Sequence, residues 1–377
     1  MTPKADRPVG SGHMGASGRI AVVLFNLGGP DRLEAVRPFL RNLFADPAII
    51  RVPQPLRWLL AELISRRRAP VARAIYGRIG GGSPLLAETA VQARALETVL
   101  RARGRDARCF IAMRYWHPRA AVTVAAVKAF APDSMVLLPL YPHFSTTTSQ
   151  SSLDEWRRAA AKARLTAPSR WVCCYPTAAG FVEALTELVQ KGMAAARATQ
   201  PVAPRVLFSA HGLPKRIVEA GDPYPWQIEQ TAAACIARLA AGGITPVDHV
   251  VCYQSRVGPL AWIGPPIEDE LARAAADRVP VVVVPIAFVS EHSETLVELD
   301  MDYRERAAAL GVPGYHRVPT VGTHPAFISG LAELVESTLS VKSDSVPAVG
   351  RRLCPRAFGR CPCPDPRAGP VSAMAIS

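Results

Sequence analysis

The sequence has no apolar run long enough to cross a bilayer. Its longest unbroken apolar stretch, residues 279–289, is far short of the roughly 20 residues that a membrane-spanning helix needs. Residues 1–17 contain Gly, Ser, Pro and scattered charge but no apolar centre, so a secretory signal is not expected. Residues 1–18 are predicted to be a disordered N-terminal segment.

Two further absences exclude classes of ligand. No GxGxxG follows the first predicted strand, where the sequence reads NLGGP (26–30), so a dinucleotide site is not expected. No nucleic-acid motif is present, and the basic residues are not interleaved with stacking aromatics. The formal net charge of +13 is therefore interpreted as a solvated arginine-rich surface or as attraction to an anionic membrane or ligand.

The eight cysteines do not indicate a disulfide framework, because the chain lacks a secretory signal. Five are scattered through the part predicted to fold. Three crowd together near the end, as Cys354, Cys361 and Cys363, in a segment rich in Pro and Arg. This segment is not expected to pack into a core, and its thiols are interpreted as chance neighbours or as metal ligands.

Apolar, β-branched runs alternate with helical patterns, which predicts an α/β fold with mainly parallel sheets. Residues 199–205, with two prolines, divide the chain, so we predict two similar Rossmann-like lobes (19–198 and 199–341) with a cleft between them and an extension at 342–377. Strands are predicted at 20–26, 109–113, 135–140, 205–209, 249–253, 281–288 and 316–319, and helices at 85–102, 181–196, 226–239, 267–276 and 326–339.

Polar and aromatic residues follow the predicted strands. In an open parallel sheet, ligands bind beyond the carboxyl ends of the strands. We therefore expect one crevice between the lobes to be lined by Asn26, Arg114, Tyr115, Tyr141, His211, Gln254, Ser255 and residues 290–294.

A row of acids follows the apolar strand at 281–288. On an α-helix, Glu291, Glu294, Glu298 and Asp302 fall within an arc of about 80°, whereas Asp300 points away and is expected to be solvated. The row is interpreted as a surface helix that pairs with arginines, or as a ridge in the crevice that moves protons or a divalent cation. In the crevice, burial and like charges would raise the pKa values of these carboxyls.

His211 follows another predicted strand, in LFSAHGLP (207–214). The turn formed by Gly212 and Pro214 favours an exposed catalytic histidine over a hydrogen-bonded core histidine. With an ordinary pKa near 6.5, an imidazole can take a proton at neutral pH.

Two other patterns suit a flat or anionic partner. Three glycines at 80–82 precede Ser83 and either make a flexible helix start or let the backbone approach such a ligand. Residues 51–68 mix Trp58 and leucines with arginines, which indicates either a core-facing helix or a basic amphipathic helix on a membrane surface.

Together these motifs resemble those of ferrochelatases, enzymes that insert ferrous iron into a porphyrin to make haem. The resemblance covers about residues 19–340. It rests on NLGGP (26–30), RIGGGSP (78–84), RYWHP (114–118), LPLYPHFSTTTSQSS (138–152), LFSAHGLP (207–214), GDPYPWQ (221–227), SRVGPLAWIGP (255–265) and PIAFVSEHSETLVELD (285–300).

The resemblance implies that the chain inserts Fe²⁺ into protoporphyrin IX with release of two protons. It also implies a cytoplasmic enzyme that attaches peripherally to the inner membrane through an apolar lip near residues 51–68, and the prediction includes a homodimer. The alternatives are a cobalt or nickel tetrapyrrole chelatase of the same fold, and a non-catalytic porphyrin- or haem-binding protein.

The resemblance also assigns roles to single residues. His211 matches the active-site histidine and Glu294 its paired acid, and both would meet the Fe²⁺ substrate. His292, Glu298 and Asp302 match a proton or metal path on a helix that is of π type in the family. The positions that line the porphyrin are matched by Leu27, Ser83, Arg114, Tyr115, Tyr141, Trp262 and Phe288.

The spacing Cys354-x6-Cys361-x-Cys363 resembles that of ferrochelatases that bind a [2Fe–2S] cluster through three C-terminal cysteines and one from the body of the chain. Such a cluster ordinarily takes four thiolates. The animal enzymes supply the fourth where this chain has Thr146, so it is expected elsewhere, at Cys173 or Cys174. A structural zinc ion is the alternative, although the spacing fits no common zinc finger.

Overall fold

Two parallel sheets form the centre of the protein in a computed structural model that describes residues 18–245, 247–256, 260–340, 345–346 and 352–363. The predicted disordered segment lies outside the described residues except for Gly18. The strands are β1 (Ile20–Asn26), β2 (Ala107–Met113), β3 (Ser134–Pro139), β4 (Ser169–Val172), β5 (Arg205–His211), β6 (His249–Gln254), β7 (Val281–Pro285), β8 (Tyr315–Arg317) and β9 (Ser345–Val346).

Helices cover the sheets, and short irregular helices join some of them. The α-helices are α1 (Val36–Phe44), α2 (Gln54–Gly77), α3 (Leu85–Ala102), α4 (Ala120–Phe130), α5 (Ser149–Ala163), α6 (Ala179–Thr199), α7 (Lys215–Glu219), α8 (Tyr224–Ala241), α9 (Ile267–Ala276), α10 (Tyr303–Leu310) and α11 (Pro325–Ser340). A 3₁₀ turn spans Leu33–Ala35, and a π-helix spans Glu294–Asp302.

The first sheet has the strand order β2-β1-β3-β4-β9 and the second β6-β5-β7-β8, with parallel pairing throughout both. β1 and β7 are buried along their whole length, as expected for central parallel strands with helices on both faces. The predicted α/β fold with two doubly wound sheets is confirmed. β4 was not among the predicted strands, and the strand predicted at 281–288 ends at Pro285, where the Phe288 amide donates to the Pro285 carbonyl in a turn.

The two halves share helices and core. α6 precedes the 199–205 connection but packs against β7, β8 and α8, whereas α11, near the end of the described chain, packs against α3, β3 and β4. One apolar cluster accordingly includes Val22 of β1, Val206 of β5 and Val284 of β7. Helices α6 and α11 thus cross from one half to the other, and the two halves share one core.

The segment at residues 352–363 packs into the core of the first half, so the expectation that it would not do so is wrong. Its three cysteines are buried in the same apolar cluster as Trp171 and Phe144. Arg352 makes this possible, because its guanidinium donates to the carbonyls of the loop, which would otherwise be buried without partners. These carbonyls belong to Cys354, Pro355, Phe358 and Cys363.

Within the described ranges, no helix is long and apolar enough to cross a membrane.

Candidate active site

His211 and Glu294 form a hydrogen-bonded pair at the strand ends of the second sheet. His211 is the last residue of β5, and Glu294 begins the π-helix that follows β7. The Nδ1 of His211 lies 2.8 Å from Oε2 of Glu294. Their side chains are 39% and 25% exposed, so the pair is accessible to solvent.

The two groups stabilise each other's charge. Burial by itself lowers the pKa of His211, but the Glu294 carboxylate outweighs it and holds the pKa above its ordinary value. Burial raises the pKa of Glu294, but His211 and, more weakly, His292 bring it down to about 2. Protonation of His211 therefore yields an ion pair rather than an isolated buried cation.

Glu298 lies one step further along the π-helix and is held by Ser255. The Ser255 amide donates to Oε1 of Glu298 at 2.7 Å, and its hydroxyl donates to the other carboxylate oxygen. Ser255 adopts φ +60°, a left-handed conformation that is costly for a serine and that is found more often at functional sites. Burial raises the pKa of Glu298 and the negative charge of Glu294 raises it further, so this carboxyl takes up a proton more readily than an exposed one.

Asp302 ends the row at the surface. Its side chain is 48% exposed and forms an ion pair with Arg78, which follows α2 in the other half. The family resemblance implied a π-type helix here, and the structure confirms it over Glu294–Asp302. The row of acids thus runs from the half-buried pair to solvent.

Two other acids do not behave as predicted. Glu291 precedes the π-helix instead of joining the row, and its carboxylate accepts from Arg317 at 2.9 Å. Asp300 is not simply solvated, because Arg317 also donates to it, at 2.6 Å. The predicted row was wrong at Glu291 because the helix starts only at Glu294. The prediction for Asp300 was wrong because its partner, Arg317, comes from β8, which the spacing of the acids does not reveal.

His292 packs beside Phe288, with their ring centroids 4.6 Å apart. The imidazole is buried, and burial lowers its pKa in spite of the nearby carboxylates. The protonated form is therefore disfavoured at His292 and favoured at His211, whose pKa is raised.

The other predicted porphyrin-lining residues are spread around the strand ends. Leu27 follows β1, and its amide donates to the Asn26 side chain at 2.8 Å. Ser83 lies against Gly29, where an added Cβ would come within 2.4 Å of the serine Oγ. Trp262 borders an open cavity of about 700 Å³, which Tyr253 also lines.

Tyr141, Arg114 and Tyr115 are turned into the protein. The Tyr141 hydroxyl is buried and has no hydrogen-bond partner among the described residues. The Arg114 guanidinium lies 2.7 Å from Asp46, whose carboxylate also accepts from the Tyr115 hydroxyl at 2.6 Å. Glu155 and Ser151 also accept from Arg114, so this guanidinium is committed to a buried network.

Five cysteines come together just past the carboxyl end of β4 in the first sheet. We call Cys173, Cys174, Cys354, Cys361 and Cys363 the cysteine site; all five are buried. The Cys173 thiol lies against those of Cys174, Cys361 and Cys363, and the Cys354 thiol lies against that of Cys361. Across the described ranges, however, no group of three or more His, Cys, Asp or Glu is arranged as a metal site.

Some contributors were not found in the sequence. Tyr303 donates to Glu298 at 3.4 Å and to Glu268 at 3.1 Å, yet nothing in its local pattern distinguishes it from a core tyrosine. Gln227 donates to Cys354 at 3.1 Å and to Cys174 at 3.4 Å, and its position within GDPYPWQ was the available signal.

Comparisons with known proteins address the chain as a whole. SirB from Bacillus subtilis with Fe³⁺ aligns to 85% of this chain and 96% of its own, with a TM-score of 0.48 and 13% identity. A family model described as Ferrochelatase matches residues 19–339. Curated ferrochelatases from Caulobacter vibrioides (strain NA1000 / CB15N) and Phenylobacterium zucineum (strain HLK1) are 50% and 52% identical over 347 residues, which is 92% of this chain and 97% and 98% of theirs. The chain therefore belongs to the ferrochelatase family, the lyases that make haem by inserting iron into porphyrin.

Proposed function

We propose that His211 is the base that removes the pyrrole protons of the porphyrin and that Glu294 holds its imidazole in place. The observation that carries this proposal is the 2.8 Å contact between Nδ1 of His211 and Glu294. It leaves Nε2 as the nitrogen that faces the substrate. The imidazolium that forms is stabilised by a carboxylate that stays ionised because its pKa is about 2.

Glu298 and Asp302 would then carry the protons to solvent. The raised pKa of Glu298 makes it an acceptor next to the pair, and the exposed Asp302 releases protons to water. The same oxygens could guide Fe²⁺ inward, since a site that must surrender iron to four nitrogens should hold it with few oxygen or imidazole ligands. His292 and Phe288, whose rings pack at an interplanar angle of 51°, would face the porphyrin together.

Protoporphyrin IX is the porphyrin we propose as the substrate. Leu27, Ser83, Trp262 and Phe288 would line its cleft, as the resemblance implies. Tyr141, Arg114 and Tyr115 would act from behind it, because the polar atoms of Arg114 and Tyr115 already have protein partners. The preference for the more apolar porphyrin follows from the lip described next.

The lip would place the cleft at a membrane surface. Along α2, Leu56, Trp58, Leu59 and Leu63 are exposed, which excludes the core-facing alternative for these four side chains. Arg57 and residues 66–68 add positive charge beside them. The protein would then be a cytoplasmic enzyme attached peripherally to the inner membrane. The homodimer stays a prediction, which analytical sedimentation would test.

The replacement His211→Ala tests the proposed base. We expect iron insertion to fall at least 100-fold, because general-base catalysis contributes about that much or more. Porphyrin should still bind, since the cleft residues are untouched; fluorescence quenching of the porphyrin measures this. Asp302→Asn, at the exposed end of the row, is the control and should lose far less activity. Full activity of His211→Ala under anaerobic conditions with Fe²⁺ would refute the assignment.

We also propose that the cysteine site binds a [2Fe–2S] cluster. The number and kind of donors fit the group, because four thiolates are required and five thiols lie in one buried apolar cluster. Cys354, Cys361 and Cys363 would be three ligands. Cys173 is the preferred fourth, since its thiol lies against those of Cys361 and Cys363. When bound, the cluster would supply a one-electron centre outside the cleft.

Cysteine replacements test the cluster. Wild-type protein purified anaerobically should be red-brown and contain two iron atoms per chain, as the cluster formula requires. Cys361→Ser and Cys173→Ser should lose the visible absorbance, and Cys174→Ser should keep it. Cys235→Ser is a matched control, because Cys235 is buried beside Thr186, away from the cysteine site. A colourless, iron-free wild type would contradict the proposal.

A further inference from the structure

Gln92 of α3 connects the two halves directly beside the active site. It is 1% exposed, and its carboxamide contacts three groups of the second half. Its Nε2 donates to the carbonyl of Val289 at 2.7 Å and to that of Gly322 at 3.0 Å. Its Oε1 accepts from the Ser290 hydroxyl at 2.8 Å. Every one of these bonds joins a helix of the first half to a loop of the second.

The loop that Gln92 holds carries active-site residues. Val289 and Ser290 lie between Phe288 and His292, and the π-helix with Glu294 starts two residues after His292. The Gly322 amide also donates to the Val289 carbonyl, at 3.0 Å, so the loop after β8 is fastened at the same point. A displacement at Val289 would therefore be transmitted to the residues on either side of it.

Thr89 gives α3 a second contact, with the end of β1 in the first half. It precedes Gln92 by three residues and thus lies on the same helix face, about 4.5 Å away along the axis. Its hydroxyl accepts from the Asn26 side chain at 3.0 Å, and Asn26 in turn accepts from the Leu27 amide at 2.8 Å. One face of α3 therefore contacts the turn that bears Leu27 and the loop that bears Phe288 and His292.

We propose that Gln92 is a positioning residue for iron insertion: with Thr89, it makes α3 the spacer that fixes the distance between the two walls of the porphyrin cleft. The inference rests on the proposed roles of Leu27, Phe288 and His292. A cleft that holds the macrocycle bent must keep its walls at a fixed separation, because the bending favours the transition state only if the walls do not yield. A fully bonded buried carboxamide is suited to this task, since each lost bond leaves a buried polar group without a partner.

Replacing Gln92 separates positioning from general stability. Gln92→Met keeps the length of the side chain and removes all three bonds. We expect kcat to fall about 10- to 100-fold, the scale of a misplacement near 1 Å. The dissociation constant of the porphyrin should change less than about twofold, because the cleft walls remain. Weaker out-of-plane porphyrin bands in the resonance Raman spectrum should accompany the lower kcat.

Arg103→Met is the matched control. Arg103 follows the last turn of α3 and also contacts the second half of the chain. Its guanidinium donates to Glu336 at 2.9 Å and to Ser329 at 2.8 Å, both on α11. It lies about 16 Å along the helix from Gln92. This variant should lower the melting temperature but leave kcat and the Raman bands at wild-type values.

Three outcomes decide the inference. A folded Gln92→Met with wild-type kcat, assayed well below its melting temperature, would overturn it, as would an equal loss of kcat in Arg103→Met. If Gln92→Met does not fold, Thr89→Val keeps the shape of the side chain and removes the hydroxyl that accepts from Asn26, and wild-type kcat in that variant would overturn the inference too. A failure of the proposed base would instead appear as an active His211→Ala, which leaves the Gln92 comparison readable.

Discussion

At the scale of single residues, the carboxyls that follow β7 differ in pKa because their neighbours differ. Glu294 faces an imidazole, which lowers its pKa to about 2. Glu298 faces another carboxylate, which raises its pKa. Glu291 and Asp300 both form ion pairs with the single guanidinium of Arg317 and lie outside the row. One short segment therefore holds an ionised partner of His211, a carboxyl that takes up a proton more readily, and two partners of Arg317.

Glu294→Gln should lower the pKa of His211. The carboxylate is what holds this pKa above its ordinary value, so without it the opposing effect of burial prevails. A ¹³C NMR titration of the histidine ring would measure the shift, with the His211 signal assigned by its absence in His211→Ala. Asp302→Asn is the control and should shift the pKa far less. An unchanged His211 pKa in Glu294→Gln would contradict this account of the pair.

The same linkage gives a sign for stability. A histidine whose pKa is raised by folding stabilises the fold fully below its unfolded pKa, near 6.5, and loses that contribution as the pH rises through the raised value. The difference in free energy of unfolding between wild type and Glu294→Gln is therefore expected to shrink on the alkaline side of that window.

At the scale of elements, the π-helix is held by a strand of the second sheet. Tyr315 of β8 donates to the carbonyl of Leu299 at 2.6 Å, and Arg317 of the same strand bridges Glu291 and Asp300. A π-helix is rare and costs hydrogen-bond geometry, so it persists where surrounding contacts enforce it. β8 thus fixes the helix that presents Glu294 and Glu298.

The lip of α2 has its own prediction. Leu59 and Leu63 are 58% and 62% exposed, and a helix face of this kind buries apolar area in a lipid interface. Leu59→Glu combined with Leu63→Glu should reduce co-sedimentation with phosphatidylglycerol vesicles several-fold, while activity in detergent is kept. Val122→Glu is the control, since Val122 of α4 is equally exposed outside the lip. Equal binding by both variants would argue against attachment through the lip.

At the scale of the whole molecule, the surplus of basic residues adds a second, separable contribution to membrane binding. The net charge of +13 should draw the protein to anionic vesicles. Raising the salt from about 0.1 M to about 1 M shortens the screening length from roughly 10 Å to roughly 3 Å, so binding to phosphatidylglycerol should weaken markedly. Binding to neutral phosphatidylcholine vesicles should respond little, and salt-independent binding to anionic vesicles would contradict the prediction.

The similarity to known ferrochelatases also extends over nearly the whole chain. The predicted ferrochelatase activity is confirmed by a family model over residues 19–339 and by relatives about 50% identical across most of the chain. The cobalt or nickel chelatase and the non-catalytic porphyrin-binding protein, which motifs alone left as alternatives, are set aside by this match.

The sequence by itself determined most of the strands, the strand-end histidine and the spacing of the acids. Those features depend on neighbours a few residues apart: apolar runs define β1, β5 and β7, and Glu294, Glu298 and Asp302 recur every four residues, which keeps them on one side even of a π-helix. The local sequence was sufficient for these features because each depends on backbone geometry over only a few residues.

Only the tertiary structure decided which charges remain available. Arg114 is captured by Asp46, 68 residues away, and Glu291 by Arg317, 26 residues further along the chain. The cysteine site likewise joins residues 173 and 174 to a segment almost 200 residues later. Gln227 donates to a cysteine of each part, Cys174 and Cys354. Such pairs form because the folded chain brings distant groups within hydrogen-bond reach, and no periodicity in the sequence records that distance.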